Sequence, residues 1–515
     1  MTRINTNVPS MIAQQRLNRS GLDLQLRLER LSTGLRINRG KDDPAGLIIS
    51  ERLGTDIATI GQAIKNGERA SSVIATTEGS LTEITDLLNS IKSLAVEAAN
   101  TGALSDEERA ANQLQIDSAI QSITRISNTA SFGGLKLLDG SLDYITSGIS
   151  STEISDATIT SASFISSSSV NVDVDVISSA QKGNLYLSGD NSGTGDGTIL
   201  SQTTIQIRGP EGVRELVLTS GMTFQKVSDA VNALSELTGV EAALVNGNAL
   251  SGLVFSSSAY GSDSFVSVER LDTPTTGNNW TLYRLDGNAA IPANGVPWGD
   301  PNLLSDVTRD EGADVSALIN GILATGKGLN VSINSPSLGM ELLLNESYAT
   351  DPTLTTATFD ITGGGSLFQL GPDITALQQT NIGIQSTSSE NLGGTLVGTE
   401  LQFLSSLSSG QANSLDSAAG RNDFSALQNI VDKSIDNVSI LRGRLGAFER
   451  NVLDTNRRSL QTAFENLTAS RSVIRDADFA KESSELTRAQ ILQSAGTSVL
   501  ALANQQSQQV LQLLG

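Results

Sequence analysis

Three groups of residues in this sequence are of types that catalysis or ligand binding uses. Asp42 and Asp43 are adjacent carboxylates, the kind that move protons or hold Mg²⁺. Asp173 and Asp175 stand two apart in a Val-rich run, which places both on one face of a strand. Gly363-Gly364-Gly365 is glycine-rich in the manner of phosphate-cradling loops. Each group has a plainer reading that outweighs the chemical one. Asp42 and Asp43 precede Pro44 at a helix breaker, where Asp42 can cap the helix that follows. Carboxylates on the outer face of a strand are ordinarily solvated. The glycine triplet lacks the Lys-Ser/Thr that a phosphate loop requires and reads as a turn. The 515 residues include no His and no Cys. The usual zinc and haem sites, the Ser-His-Asp and Cys-His nucleophile pairs and any disulfide framework are therefore excluded. No catalytic constellation remains, and the expectation is a protein that is not an enzyme and has no cofactor.

The elements that carry these residues fall into three stretches with different charge. The chain's net charge is −21. Residues 1–140 are at −1 and residues 401–515 at 0, so 141–400 carry −20. The first 41 residues reverse the sign, to +6. That basic patch has no aromatic residues and interleaves with a Leu stripe, so it reads as a solvated helix face or one paired with another helix. An acidic chain is a poor nucleic-acid binder. No run of 18 apolar residues is present, so no membrane span is expected. The polar start MTRINTNVPSMIAQQ has no secretory core. Taken alone, this reads as cytosolic.

The two ends repeat apolar residues every three or four positions, the signature of helices packed side by side. Leu24, Leu28, Leu31 and Leu35 form one such row, and Leu81, Ile84, Leu88, Ile91, Ala95 and Ala98 another. Toward the far end, Val431, Val438, Leu445 and Val452 are seven apart, with Leu441 and Phe448 between them. The last row is Leu492, Ala495, Val499, Leu502 and Leu513, with Gln506 and Gln509 on two seam positions. A breaker at Gly40–Gly46 interrupts the first helix. Ser105 and Glu108 form a capping-box pattern, and Ser131–Gly134 reads as a turn. The middle, with eight of ten Pro and every Tyr and Trp (Trp280 and Trp298), reads as strands and turns with rare helices. Val170 to Val176 alternate as a half-buried strand. Strands flank a Gly209–Gly212 turn, a helix spans 223–237, and further strands follow at 240–245 and 253–256. Leu318–Leu323 is expected as a helix and Leu329–Ile333 as a strand.

Against this background the termini resemble bacterial flagellin. The resemblance rests on Ile4-Asn5-Thr6-Asn7, Leu28–Asn38 (LERLSTGLRIN), Asp42–Glu51 (DDPAGLIISE) and Ser131–Leu138 (SFGGLKLL). At the other end it rests on Ile474–Phe479 (IRDADF), Ala489–Ile491 and Ala495–Leu500, then Ala503–Gln506 and Val510–Leu514. It covers about 140 residues at the start and about 90 at the end, in order and on the heptad seams. Residues 203–256 are similar to an insertion module found in some members. The resemblance implies an α+β fold: long coiled-coil-like helices from both termini and a central β-rich insertion. It places 1–45 and 475–515 in an inner-tube helical domain, 46–180 and 358–474 in an outer-tube helical domain with a β-hairpin region, and 181–357 in variable surface domains.

The implied function is a structural subunit that polymerises head-to-tail into the flagellar filament for swimming, exported unfolded by the flagellar type III system to the outside of the cell. This replaces the cytosolic reading. Leu24, Leu28, Leu31, Leu35, Asp42, Asp43, Pro44, Gly46, Leu492, Ala495, Val499, Leu502 and Leu513 are then the inner assembly interface. Leu81, Ile84, Leu88, Ile91, Ala95, Val431, Val438, Leu441, Leu445, Phe448 and Val452 are the outer-tube seam. The implied partners are other copies of the chain, cap and hook-junction proteins at the filament ends and an export chaperone on the C-terminal helix. A host innate receptor reads the helix around Ser90, Lys92, Leu94 and Glu97 in some members. Those detected best carry Arg where this chain has Ser90 and Lys92, which argues against detection here. The absence of His excludes the His-Glu-x-x-His peptidase grafted onto some members. The alternatives are a hook–filament junction protein of the same superfamily, or a surface adhesin or carboxylate enzyme.

Overall fold

The computed structural model describes residues 6–164, 169–188, 197–272, 281–285, 304–335, 337–351, 356–397, 400–421 and 423–514, the last eight as backbone only. Ile4, Asn5, Trp280, Trp298 and the side chains of Gln509 and Leu513 lie outside the described residues. The architecture is α+β. The helices are α1 (Val8–Thr33), α2 (Pro44–Ala98), α3 (Asp106–Thr129), α4 (Phe224–Asn232), α5 (Ser235–Thr238), α6 (Glu346–Thr350), α7 (Leu415–Arg421), α8 (Ser425–Phe448), α9 (Asp454–Arg475) and α10 (Phe479–Leu514). The strands lie between α3 and α7. The chain divides into two compact units.

One unit comprises Met1–Ser71, Gln369–Gln379 and Phe448–Gly515. Its α1 and α10 run antiparallel: the Asn7 amide donates to the Ala503 carbonyl at 3.2 Å, while near the other end Arg30 reaches Glu482 at 3.1 Å. The first part of α2 lies antiparallel to α9. Arg475 pairs with Glu51 at 2.6 Å, Arg471 packs over Gly54, and Phe464 sits by Gly61. The two glycines, seven apart, leave room for large side chains of the facing helix.

The other unit comprises Ser72–Phe368 and Thr380–Ala447. Here Leu81, Ile84, Leu88 and Ile91 of α2 are fully buried, as are Ile116 and Ile123 of α3 and Val431, Val438 and Leu445 of α8. Lys92 bridges to Asp432 at 2.6 Å. The Ser105 capping box forms as expected, with Ser105 N–H donating to Glu108 at 2.9 Å and Glu108 N–H to Ser105 Oγ at 3.2 Å. Ser131–Phe132 and Leu135–Lys136 pair as a hairpin around Gly133-Gly134. The β-rich part of this unit has two cores. In one, a sheet containing Val170–Ser178 and Ala357–Gly364 faces a sheet containing Ile154–Ala162 and Leu338–Leu344. In the other, two sheets and α4 enclose Leu185, Ile205, Phe224, Val227, Phe255 and Val268. The alternation at Val172 and Val174 and the hairpin Thr203–Gly209/Gly212–Leu218 are as the sequence pattern predicts.

Five local expectations are corrected. First, α1 stops at Thr33 rather than running to Gly40. Gly34 adopts φ 73°, the left-handed cap that a side chain disfavours, and its N–H closes onto the Arg30 carbonyl at 2.8 Å. Leu35 therefore leaves the helical row. Second, Asp43 rather than Asp42 caps α2: its carboxylate accepts from Gly46 N–H at 2.9 Å. Asp42 instead accepts from Asn38 and Arg39 N–H at 3.2 and 2.9 Å and closes the preceding turn. Third, Leu318–Leu323 is a tight hairpin, not a helix. Asn320 and Gly321 both take positive φ, 50° and 76°, the geometry of a two-residue turn. Fourth, the helix expected over 223–237 breaks after Asn232 into α4 and α5. Fifth, a π-turn at Glu449–Leu453 adds one residue to the period, so Leu453 is buried where Val452 is only half-buried.

Candidate assembly interface

In α1 the row turned inward is Ala13, Leu17, Ser20, Leu24, Arg27 and Leu31, at steps of four and three. In α10 it is Glu482, Leu486, Ala489, Gln493, Gly496, Leu500 and Ala503, with the same steps. Small residues let the helices approach: a Cβ on Gly496 would lie 3.2 Å from Leu17 Cδ1, and Ser20 Oγ donates to the Ala489 carbonyl at 3.4 Å. The row expected from the sequence lies elsewhere on α10. Leu492, Val499 and Leu502 are 51, 56 and 62% exposed, and Ala495 is exposed with them. Leu24 and Leu31 are half-buried, whereas Leu28 is exposed, as are Leu22, Ile12 and Met11 elsewhere on α1. Each helix thus has one face turned to the other; α10 keeps a second apolar row uncovered, and α1 keeps several apolar side chains exposed.

Near the α1 C-terminus two basic side chains converge on one acid. Arg27 reaches Glu482 at 2.9 Å and Arg30 reaches it at 3.1 Å, while Arg27 also bonds Asp23 at 3.2 Å. Burial would raise the Glu482 carboxyl, but the hydrogen bonds from the two guanidiniums prevail and hold it below its ordinary value. The bond to Glu482 likewise raises Arg27. Sequence reading missed these three residues individually. The available signal was the basic patch woven through the Leu stripe.

The loop after α1 docks on the α9–α10 junction. Arg36 N–H donates to the Arg475 carbonyl at 2.7 Å, Ala477 N–H to the Gly34 carbonyl at 2.9 Å, and Leu35 bridges to Asp476. Ile37 is buried beneath it. Pro44 begins α2, and Gly46 is closely covered: a Cβ there would lie 2.7 Å from Ile37 Cδ1 and 2.5 Å from Asp43 Oδ2, so both side chains would have to shift. Both carboxylates of the Asp42-Asp43 pair are thus engaged by backbone N–H groups. The Arg39 N–H holds the Asp42 carboxyl below its ordinary value.

In the other unit, the seam residues Leu81, Ile84, Leu88, Ile91, Ala95, Val431, Val438, Leu441 and Leu445 are all buried. Phe448, which belongs to the first unit, is half-buried. Ser90 and Glu97 are exposed, Leu94 is half-buried, and Lys92 is engaged by Asp432. A cleft of about 460 Å³ beside α8 is lined by Asp143, Asp156, Glu341, Lys433 and Arg444. Burial raises both aspartates, and it lowers Arg444, whose guanidinium donates to the Thr160 carbonyl at 2.7 Å. Asp175 accepts from Thr356 Oγ1. Among the described residues no group of three or more acidic side chains is placed to hold a metal ion, and no helix is long and apolar enough to cross a membrane.

Residues 4–143 match the family model of the bacterial flagellin N-terminal helical region, and residues 428–514 match that of the C-terminal helical region. The chain is 30% identical to B-type flagellin of Pseudomonas aeruginosa and 30% identical to flagellin of Salmonella typhimurium, in each case over 99% of both chains. It is 28% identical to flagellin C of Vibrio cholerae over the same shares. Among solved structures, the flagellar junction protein from Legionella pneumophila overlaps 83% of this chain and 99% of its own at 13% identity, with a TM-score of 0.28, too low to bear on the assignment. With matches to both terminal regions and to full-length relatives, the chain belongs to the bacterial flagellin family.

Proposed function

We infer that the chain is a structural, non-enzymatic subunit of the bacterial flagellar filament, polymerising head-to-tail outside the cell. The observation that carries this is the match to flagellins over 99% of both chains. A heterologous contact of this kind does not close and so propagates. We assign 1–45 and 475–515 to the inner tube, 46–180 and 358–474 to the outer tube, and 181–357 to the projecting surface. The acidic middle supports the last assignment, since net charge maintains solubility.

Leu28, Leu492, Ala495, Val499 and Leu502, and by its place in the row Leu513, are assigned to contacts with other copies; their apolar character on an uncovered face supports this. Leu24, Leu31, Leu35, Asp42, Asp43, Pro44 and Gly46 build the inner frame. The further partners are cap and hook-junction proteins at the filament ends and an export chaperone on α10, with type III export of the unfolded chain. The absence of Arg at Ser90 and Lys92 opposes host-receptor detection through this helix. Purified chain seeded with filament fragments should elongate them. Failure to elongate would overturn the reading, and a copy number of only one ring per flagellum would favour the junction protein instead.

A further inference from the structure

Apart from Arg27, Glu482 and Gln493, the inward rows of α1 and α10 are periodic and built of small or apolar residues. Each steps by four and three, so sliding one helix past the other by seven residues, two turns, sets small and apolar side chains opposite similar ones again. The contacts from Asn7 to Ala503 and from Ser20 to Ala489 are nearly indifferent to such a slide, because they join an amide or hydroxyl to a backbone carbonyl, and the side-chain pair Ser10–Asn504, at 2.7 Å, is exposed to solvent. Glu482 is different. It is a charged residue only 5% exposed, and it is held by two guanidiniums one turn apart, at 2.9 and 3.1 Å. A seven-residue slide one way brings it level with Ser20 and Asp23, a carboxylate against a carboxylate. The other way it passes beyond the end of α1, to Gly34. Both leave a buried charge unpaired, which is strongly unfavourable. Backbone bonds from Arg36 and Ala477 also meet at this end, but they lie in the ten-residue loop after α1 and the short α9–α10 link, outside the two helices.

We propose that Glu482, clasped by Arg27 and Arg30, is the positioning residue that selects the register of α10 on α1, and with it which apolar groups of the two outer faces stand side by side. Buried ion pairs are often replaceable by apolar residues without loss of stability, and register selection is a well-attested use for them. The inference rests on the filament reading, because the outer faces matter only where other copies cover them.

The test uses assembled filaments of the full chain and exploits the absence of native Cys. The pair Ser20→Cys with Ala489→Cys reports the observed register; Ala13→Cys with Ala489→Cys reports the seven-residue slide. With Glu482 intact, the first pair should cross-link and the second should not. In Glu482→Gln, and in the combined Arg27→Leu, Arg30→Leu, Glu482→Leu variant, the second pair's yield should rise about tenfold while tubes still form. The all-Leu variant guards against simple loss of folding, since it restores packing and removes only the register signal. A second pair that stays silent in both backgrounds would overturn the inference and leave the filament reading intact. Absence of tubes from the unsubstituted chain would overturn that reading and this inference with it.

Discussion

The seam of α2 and α8 and the apolar row of α10 repeat at the same period and end in opposite environments. Leu81, Ile84, Leu88, Val431, Val438 and Leu445 are closed off by their own chain. Leu492, Val499 and Leu502 keep more than half of their surface. The flanking residues differ to match. The α2–α8 seam has its acidic and basic partners at the edge, as in Lys92–Asp432, and aliphatic residues in the middle. On α10 the row that meets α1 mixes small and charged residues, Ala489, Gly496 and Glu482, with Leu486 and Leu500, while a second apolar row, Leu492, Val499 and Leu502, points away. A helix that must satisfy two sets of neighbours divides its circumference between them. The lesson is that period alone identifies a packing face, while the size and charge of the opposite face show whether the packing partner is the same molecule.

Several changes would break or sharpen this contrast. The largest effect is expected from removing 1–41 or 475–515, which should abolish seeded polymerisation entirely, followed by sedimentation; long tubes from either truncation would contradict the role of these ends. Leu88→Ala, in the closed seam, should lower the stability of its unit by about 2–5 kcal/mol in denaturant unfolding, because it opens a cavity among fully buried neighbours. Gly46→Ala should cost about 1–3 kcal/mol, since the new methyl meets Ile37 and the Asp43 carboxylate that caps α2. Ser105→Ala, which removes half of a capping box far from any proposed contact, should cost about 1 kcal/mol and leave assembly unchanged.

The acid limb of stability gives a further check. Glu482 titrates below its ordinary value in the folded state. Its contribution is therefore full above the unfolded carboxyl's range, near pH 4.3 or so, and is lost as pH falls through the lower folded value. Helicity followed during acidification should show a shallower loss in Glu482→Gln than in the unsubstituted chain.

Much of this architecture was legible in the residues. Alternation at Val170–Val176, the Gly209–Gly212 turn, the Ser105–Glu108 box and the Ser131–Gly134 turn are all set by local chemistry, and local chemistry is what a sequence displays. The misses have local causes too. Asn320-Gly321 is a hairpin turn signal that a run of Leu and Ile on either side obscured. Gly34 ended α1 before the more conspicuous Pro44 could. The π-turn at Glu449–Leu453 moved burial from Val452 to Leu453 by a single inserted residue, which no periodic template accommodates. The candidate interface was only half legible. Heptads located α1 and α10, but the residues joining them, Arg27, Arg30 and Glu482, are paired across more than 450 positions and became visible only when folded.

The most direct test of the central claim, that the uncovered row of α10 is the contact with other copies, is Val499→Asp. The variant monomer should match the unsubstituted chain in circular dichroism and in the unfolding of the α2–α8 unit, because Val499 touches neither core, yet it should yield no sedimentable filament when seeded, since assembly would bury an unpaired carboxylate. Filaments of normal length, formed at the unsubstituted chain's critical concentration, would contradict the account.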